Sequence, residues 1–315
     1  MSTLPSEEPH VSETFDETVE LVIEGRPRQV GTLTVARLLP SAKRRLIGPF
    51  VFLDHLGPVT IAPGLGFDLK PHPHIGLSTV TYFLAGENVH RDSLGNVQVN
   101  RPGEVNLMTA GRGVVHSERA DPGWRERGGH LHGLQIWLAL PEEREEDAPS
   151  FEHHPQASLP EAAPAAGARG RVLLGTAFGA ASPIAHPSRP SLIDLQLEAD
   201  AALDVPAEEP ERGVYVVEGA VRLGRTVLEA NRLAVLRPGA AAQLRAREKS
   251  RVLLLGGPPV GRRYIDWNFV SSSQERIQQA RRDWREQKFP KIPGDEVEFV
   301  PLPEWPRDAP SRRNR

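Results

Sequence analysis

Two short stretches hold the residues best suited to chemistry. "PHPHIG" at 71–76 sets His72 and His74 one residue apart, and "VVHSE" at 114–118 repeats that spacing with His116 and Glu118. In an extended chain, residues i and i+2 project from the same face. Each pair therefore offers two side chains to one side, and Pro73 stiffens the first pair. Either pair alone is two polar groups on a strand. The pairs lie about forty residues apart, room for the few antiparallel strands that would bring both to one end of a barrel interior. Three neutral imidazoles and one carboxylate make a donor set suited to Fe, Mn, Co, Ni, Cu or Zn. Four protein ligands leave an octahedral ion two positions for water, substrate or dioxygen, which is the arrangement of a reactive centre.

Other histidines are weaker candidates. His130 and His132 in "GGHLHGLQIW" share the i, i+2 spacing. If that strand lines the same barrel, His132 is expected to support the metal by a hydrogen bond, with His130 at the rim. His153 and His154 are adjacent, diverge on a strand, and are expected to be solvated. His55 and His90 suit a pocket, although no spacing fixes them there. Phe52 and Trp137 are aromatic candidates for a ligand wall, with core packing the simpler role for each.

The elements that must position these residues read as strands. "TVELVIEG", "LTVARLLP", "FVFLDHLGP", "LSTVTYFLAGE", "VQVN" and "HGLQIWLALP" alternate or run apolar between Gly, Pro and Asn turns, the rhythm of a sandwich or barrel. "PEEREEDAP" and "SLPEAAPAAGARG" then interrupt it, and about 141–170 reads as a linker region. The rhythm returns in "RVLLGTAF", "SLIDLQLEA", "GVYVVEGAVRLG", "RLAVLRPG" and "SRVLLLGG". "VTYFLAGENVH" is echoed by "VYVVEGAVRLG", and "NRPGEVNLMTAG" by "RLAVLRPGAAAQLRA", which indicates an internal duplication. The expected division is a metal-binding barrel at 1–145, with 1–17 flexible, and a linker with a second barrel at 146–315. In "SSSQERIQQARRDWREQK", Ser272 and Glu275 form a capping box, and Ile277, Ala280 and Trp284 form an apolar stripe. A closing helix is expected at about 272–288, packed on a sheet and followed by a flexible tail.

Composition excludes several classes. The chain has 315 residues and no cysteine, so disulfides, thiolate ligands and cysteine nucleophiles are out. A net charge of −3 gives no basic face for direct contact with nucleic acid. The polar, acidic N-terminus is no signal peptide, and no apolar run approaches the ~20 residues of a membrane span. A soluble, cytoplasmic protein is expected.

"GPFVFLDHLGP", "PHPHIGLSTVTYFLAGE", "HRDSLGN", "NRPGEVNLMTAGRGVVHSER", "HGLQIWLALP" and "WNFVSSSQERIQQARRDW" together resemble the bacterial members of the pirin family. The resemblance runs from about residue 20 to residue 290 and is strongest over 46–141. It implies an all-β bicupin: two double-stranded β-helix (jelly-roll) barrels, face to face, with a C-terminal α-helix. It implies one divalent metal ion in the first barrel, chiefly Fe(II), held by His72, His74, His116 and Glu118. Ser78 stands near the place where ordinary cupins carry a glutamate, so the carboxylate comes from Glu118. The second barrel is expected to lack a metal, and "PAEEPERGVYVVEG" indeed has no histidine. The implied activity is that of a quercetin 2,3-dioxygenase, opening a flavonol with O2 and releasing carbon monoxide, with Glu118 serving as base as well as ligand. The alternative implied by the family is a non-enzymatic, iron-binding, redox-sensing regulator that modulates a protein partner, acting as a transcription coregulator or on a metabolic enzyme. The resemblance also suggests a monomer. Nothing in the sequence assigns the residues that touch substrate.

Overall fold

In the computed structural model, which describes residues 16–303, nearly every alternating or apolar stretch is a strand. The first run comprises β1 (Val19–Glu24), β2 (Arg26–Val30), β3 (Leu33–Leu39), β4 (Phe50–Ile61), β5 (Leu69–His74) and β6 (Leu77–Ala85). It continues through β7 (Asn88–Asp92), β8 (Val97–Asn100), β9 (Val105–Thr109), β10 (Val114–Arg119), the short helix α1 (Pro122–Arg127), β11 (Gly129–Ala139) and β12 (Ser150–His154). The second run comprises β13 (Glu161–Ala165), β14 (Ala168–Leu174), the small hairpin β15 (Thr176–Ala177) and β16 (Ala180–Ala181), β17 (Ser191–Leu197), β18 (Ala202–Asp204) and β19 (Glu211–Glu218). It ends with β20 (Ala220–Leu223), β21 (Thr226–Glu229), β22 (Arg232–Leu236), β23 (Gln243–Ala246), β24 (Ser250–Gly257), β25 (Tyr264–Asp266), β26 (Phe269–Ser271) and helix α2 (Gln274–Arg285). No described helix is long and apolar enough to cross a membrane.

The strands build two barrels of one plan. The first pairs a sheet of order β12-β9-β6-β11-β4-β3-β2 with a four-stranded sheet β5-β10-β7-β8. The second pairs β1-β22-β19-β24-β17-β14-β13 with β18-β23-β20-β21. The sequence echo is thus a strand-for-strand repeat, and the two barrels and closing helix are as expected.

Two strands fall on the far side of the expected 145/146 division. β1, from the start of the chain, pairs antiparallel with β22 in the second barrel. β12 pairs with β9 in the first. Each repeat gives its opening strand to the other's barrel. The 141–170 segment is therefore more than a linker, since it contains β12, an edge strand of the first barrel, and β13, an edge strand of the second. Proline, alanine and glycine lowered its strand signal, yet edge strands tolerate such residues.

Alternation along the seven-stranded sheets divides the core. One face of each sheet meets the other sheet: Leu134, Ile136 and Leu138 of β11 join Tyr215, Val217, Leu253 and Leu255 in one buried cluster between the barrels. The other face of the second sheet, with Val214, Val216, Val252 and Leu254, fills its own barrel. Apolar burial of this kind supplies the dominant favourable term in folding.

The C-terminal segment belongs to the first barrel. Val270 N donates to Ile75 O, and Ile277, Ala280 and Trp284 pack with Ile75 and Val115 on the outside of β5 and β10. The stripe and helix are as expected, but the cap is Ser273, whose Oγ accepts from Arg276 N at 3.2 Å. Ser272 is engaged by Glu145 instead, through its N–H at 2.9 Å and its hydroxyl at 3.1 Å. Asp16, inside the segment expected to be flexible, is buried and accepts from Thr18 N and Val19 N. The rest of the expected N-terminal flexible segment, and the tail beyond 303, lie outside the described residues.

Candidate metal centre

β5 is the edge of its four-stranded sheet, the position where Pro71 and Pro73 cost no ladder bond. It pairs with β10 so that His72 stands opposite His116 and His74 opposite Val114. Gly76 then turns the chain at φ +66, and a Cβ there would meet Val270 O at 2.0 Å. The motif's glycine is set by that close approach.

The register brings three of the four expected ligands together. One ring nitrogen from each of His72, His74 and His116 lies within 4.8 Å of the others, and all three residues are buried. Their hydrogen bonds fix which nitrogen faces inward. His72 Nδ1–H donates to Lys70 O at 2.8 Å, and His74 Nδ1–H donates to Asn268 O at 3.0 Å. Both Nε2 atoms are left as bare acceptors. His116 Nδ1 contacts His90 Nδ1 at 3.4 Å, and His90 Nε2 contacts Asp92 Oδ2 at 3.1 Å. With His90 Nε2–H donating to Asp92, its Nδ1 accepts from His116, so His116 Nε2 is bare as well. His74 Nε2 and His116 Nε2 then face each other at 3.1 Å, two lone pairs without a proton between them. A cation is what such a donor set fits.

Burial lowers all three basicities. His72 is pushed down to about 4. His74 and His116 are driven well below the ordinary value by burial and then by neighbouring imidazoles. Neutral imidazole is the ligating form.

Glu118 lines the same cavity but stands outside the cluster of three. Asn88 Nδ2 donates to its Oε1 at 3.2 Å, and Thr81 Oγ1 reaches the same oxygen at 3.5 Å. Burial raises its pKa, against the lowering effect of His90, Asn88 and Thr81.

The cavity measures about 470 Å³, within the range of small-molecule sites. Phe52 and Trp137 line it, stacked at 4.0 Å and 12°, and Trp137 presents an edge to His74 at 5.1 Å. Trp267 and Asn268 close it from the C-terminal segment. That segment is tied down by Arg119, which pairs with Asp295 at 2.6 Å.

His132 is not with the ligands. Its ring contacts His55, Nε2 to Nε2, at 2.6 Å, and its Nδ1 faces Glu218 at 3.4 Å. His55 in turn meets Tyr215 Oη at 2.6 Å. Both histidines lie at the seam between the barrels, and burial holds both at about 4. The reason is parity: His132 shares the face of Leu134, Ile136 and Leu138, whereas Gln135 and Trp137 face the cavity. His90 has the supporting place instead. Its signal was the i, i+2 pair His90–Asp92, which β7 sets opposite Glu118 and His116. His130 is exposed. His153 and His154 are half-buried on β12, against Asn106 and Glu152.

Comparison with known proteins agrees over most of the chain. Residues 32–138 match the Pirin family, and residues 192–290 match the Pirin C-terminal cupin domain. A "Pirin-like protein" of Caulobacter vibrioides is 47% identical over 91% of this chain and 100% of its own length. A Pseudomonas aeruginosa protein named "Putative quercetin 2,3-dioxygenase" is 41% identical over 89% of each chain. The crystal structure of an Acinetobacter baumannii quercetin 2,3-dioxygenase superimposes with a TM-score of 0.84, at 34% identity, over 91% of this chain and 96% of that one.

Proposed function

Since the chain belongs to the pirin family and has its bicupin fold, we propose that it is a metal-dependent flavonol 2,3-dioxygenase acting on quercetin-like substrates. The observation that carries the reading is the set of three buried imidazoles, with Nε2 bare, opening on a largely apolar cavity with an aromatic wall. His72, His74 and His116 would hold one divalent ion, with Fe(II) the first choice, and Glu118 would be the fourth ligand. The ion, when bound, would supply Lewis acidity toward the flavonol 3-oxygen. Glu118 also takes the proton of the flavonol 3-hydroxyl. Asn88 and Thr81 hold its Oε1, which leaves Oε2 to turn inward. Phe52 and Trp137 support the ring system, and Trp267 narrows access for water. Overall, the C2–C3 and C3–C4 bonds of the flavonol break, both atoms of O2 enter the ester product, and C3 leaves as carbon monoxide.

The test is a reconstitution with Fe(II) under controlled oxygen. Quercetin absorbance and dissolved O2 should fall together, with one carbon monoxide released per flavonol. Protein that carries one metal per chain and leaves both quercetin and O2 unchanged would sink the reading.

A further inference from the structure

The wall of the cavity formed by the seven-stranded sheet carries a polar row that the metal centre does not use. Arg37, Asp54, Gln135 and Thr81 stand at successive paired positions on β3, β4, β11 and β6, and all four line the cavity. Arg37 and Asp54 satisfy each other through two bonds of 2.7 Å. Gln135 is only half satisfied. Its Oε1 accepts from Thr81 Oγ1 at 3.1 Å, while its buried Nε2 has no hydrogen-bond partner among the described residues. Turning the amide over exchanges the two atoms and leaves Oε1 unpartnered instead, so one polar atom of Gln135 is free in either orientation. Asn88, which is 3% exposed, repeats the pattern. Its Nδ2 donates to Glu118, and its Oδ1 is buried and unpartnered. Through Thr81 and Glu118 the two amides belong to one cluster.

Buried polar atoms without partners are uncommon because each forfeits its hydration. Here two of them line one cavity, beside an aromatic wall and the candidate base. A ligand that supplies complementary groups removes the penalty at both.

We propose that Gln135 and Asn88 are specificity-determining residues, and that they select a planar aromatic ligand hydroxylated beyond the group that meets the metal. A ring oxygen or hydroxyl bonds the Gln135 amide, and a hydroxyl hydrogen is given to Asn88 Oδ1. The inference rests on the flavonol reading above and narrows it to polyhydroxylated members of that class.

The experiment compares quercetin with 3-hydroxyflavone, which keeps the 3-hydroxyl and 4-carbonyl and lacks the other hydroxyls. Both are titrated anaerobically into metal-loaded protein by absorbance and fluorescence, with metal content and Tm measured alongside. Wild type should bind quercetin about tenfold or more tightly than 3-hydroxyflavone. Gln135→Leu should bring the two within about threefold by weakening quercetin alone, at unchanged metal content. Gln135→Met, nearer in shape, serves if the leucine variant does not fold. Should wild type show no preference, or a folded and metal-loaded Gln135 variant keep it intact, the proposal fails and the flavonol reading stands. Should metal-loaded wild type bind neither flavonol, both fail.

Discussion

In the first barrel His116 pairs with His72 and Asp92, and Glu118 pairs with His90. In the second, Leu244 pairs with Leu203 and Leu223, and Ala246 pairs with Val221. Val205 N bonds Ala242 O at the position where His74 opposes Val114. The repeat therefore matches His72 to Leu203, His74 to Val205, His116 to Leu244, Glu118 to Ala246, Asp92 to Leu223 and His90 to Val221. Every candidate ligand, and both members of the supporting pair, has an apolar counterpart at the same place in the fold. All six counterparts are buried in one cluster that fills the second barrel. The strand plan thus holds with either interior. A packed apolar interior is the stabilising solution, whereas the first barrel gives up packing to keep a cavity into which polar side chains project, the kind of local departure that marks a functional site.

The comparison can be broken from either side. The largest effect is expected at His116→Ala, which removes the candidate ligand at the centre of the cluster. Metal content should collapse and quercetin turnover should fall by at least about a hundredfold. His153→Ala, outside the cluster, should leave both intact. Next comes Leu244→Ala, the same position in the packed barrel. Chemical denaturation should show a loss of about 2–5 kcal/mol, with one metal per chain retained. A third change separates support from ligation: His90→Phe keeps the stack on Phe151, now at 4.4 Å, and removes the bond to His116. Metal affinity should fall by about 10- to 100-fold, read by competition with a chelator, with Tm nearly unchanged.

The smallest effect concerns the seam between barrels. His186 is buried, its Nε2 bonded to Ser78 Oγ at 3.0 Å and its Nδ1 accepting from Ser188 N at 3.2 Å. Burial holds it at about 4, against an ordinary value of 6.5. The unfolded chain takes up this proton first as pH falls. Stability is therefore full above pH 6.5 and is lost as pH drops from 6.5 toward 4. One such group contributes a slope of about 1.4 kcal/mol per pH unit. Denaturant titrations of His186→Gln across that window should show the slope reduced by up to that amount. An unchanged slope would mean that the other buried histidines carry the dependence.

The HxH and HxE pairs were legible because strand parity is local: i and i+2 share a face whatever the partner strand. The same rule, applied from Trp137, places His132 on the seam with Leu134. The spacing of His130 and His132 alone does not set the phase; the strand beyond them does. His90 was not legible in that way, since its place depends on which residue of β10 lies opposite it. That register is set by the whole barrel. The free atoms of Gln135 and Asn88 were hidden for the same reason. β1 is a further case: "VELVIE" specifies two faces and an apolar side, but hydrophobic pattern does not say which sheet edge a strand completes.

The exchanged strands have a consequence for the order in which the protein can be made. Val19–Glu24 leaves the ribosome about two hundred residues before Arg232–Leu236, its sheet neighbour, and closing so long a loop is slow. The first barrel waits even longer, because the carbonyl that orients His74 belongs to Asn268 and the strand that carries Phe151 against His90 opens the second repeat. A nascent chain that stalls after β11 holds every candidate ligand but lacks the Asn268 carbonyl that orients His74 and the Phe151 ring that stacks on His90. The candidate centre is therefore complete only after the strands of the second barrel have been made.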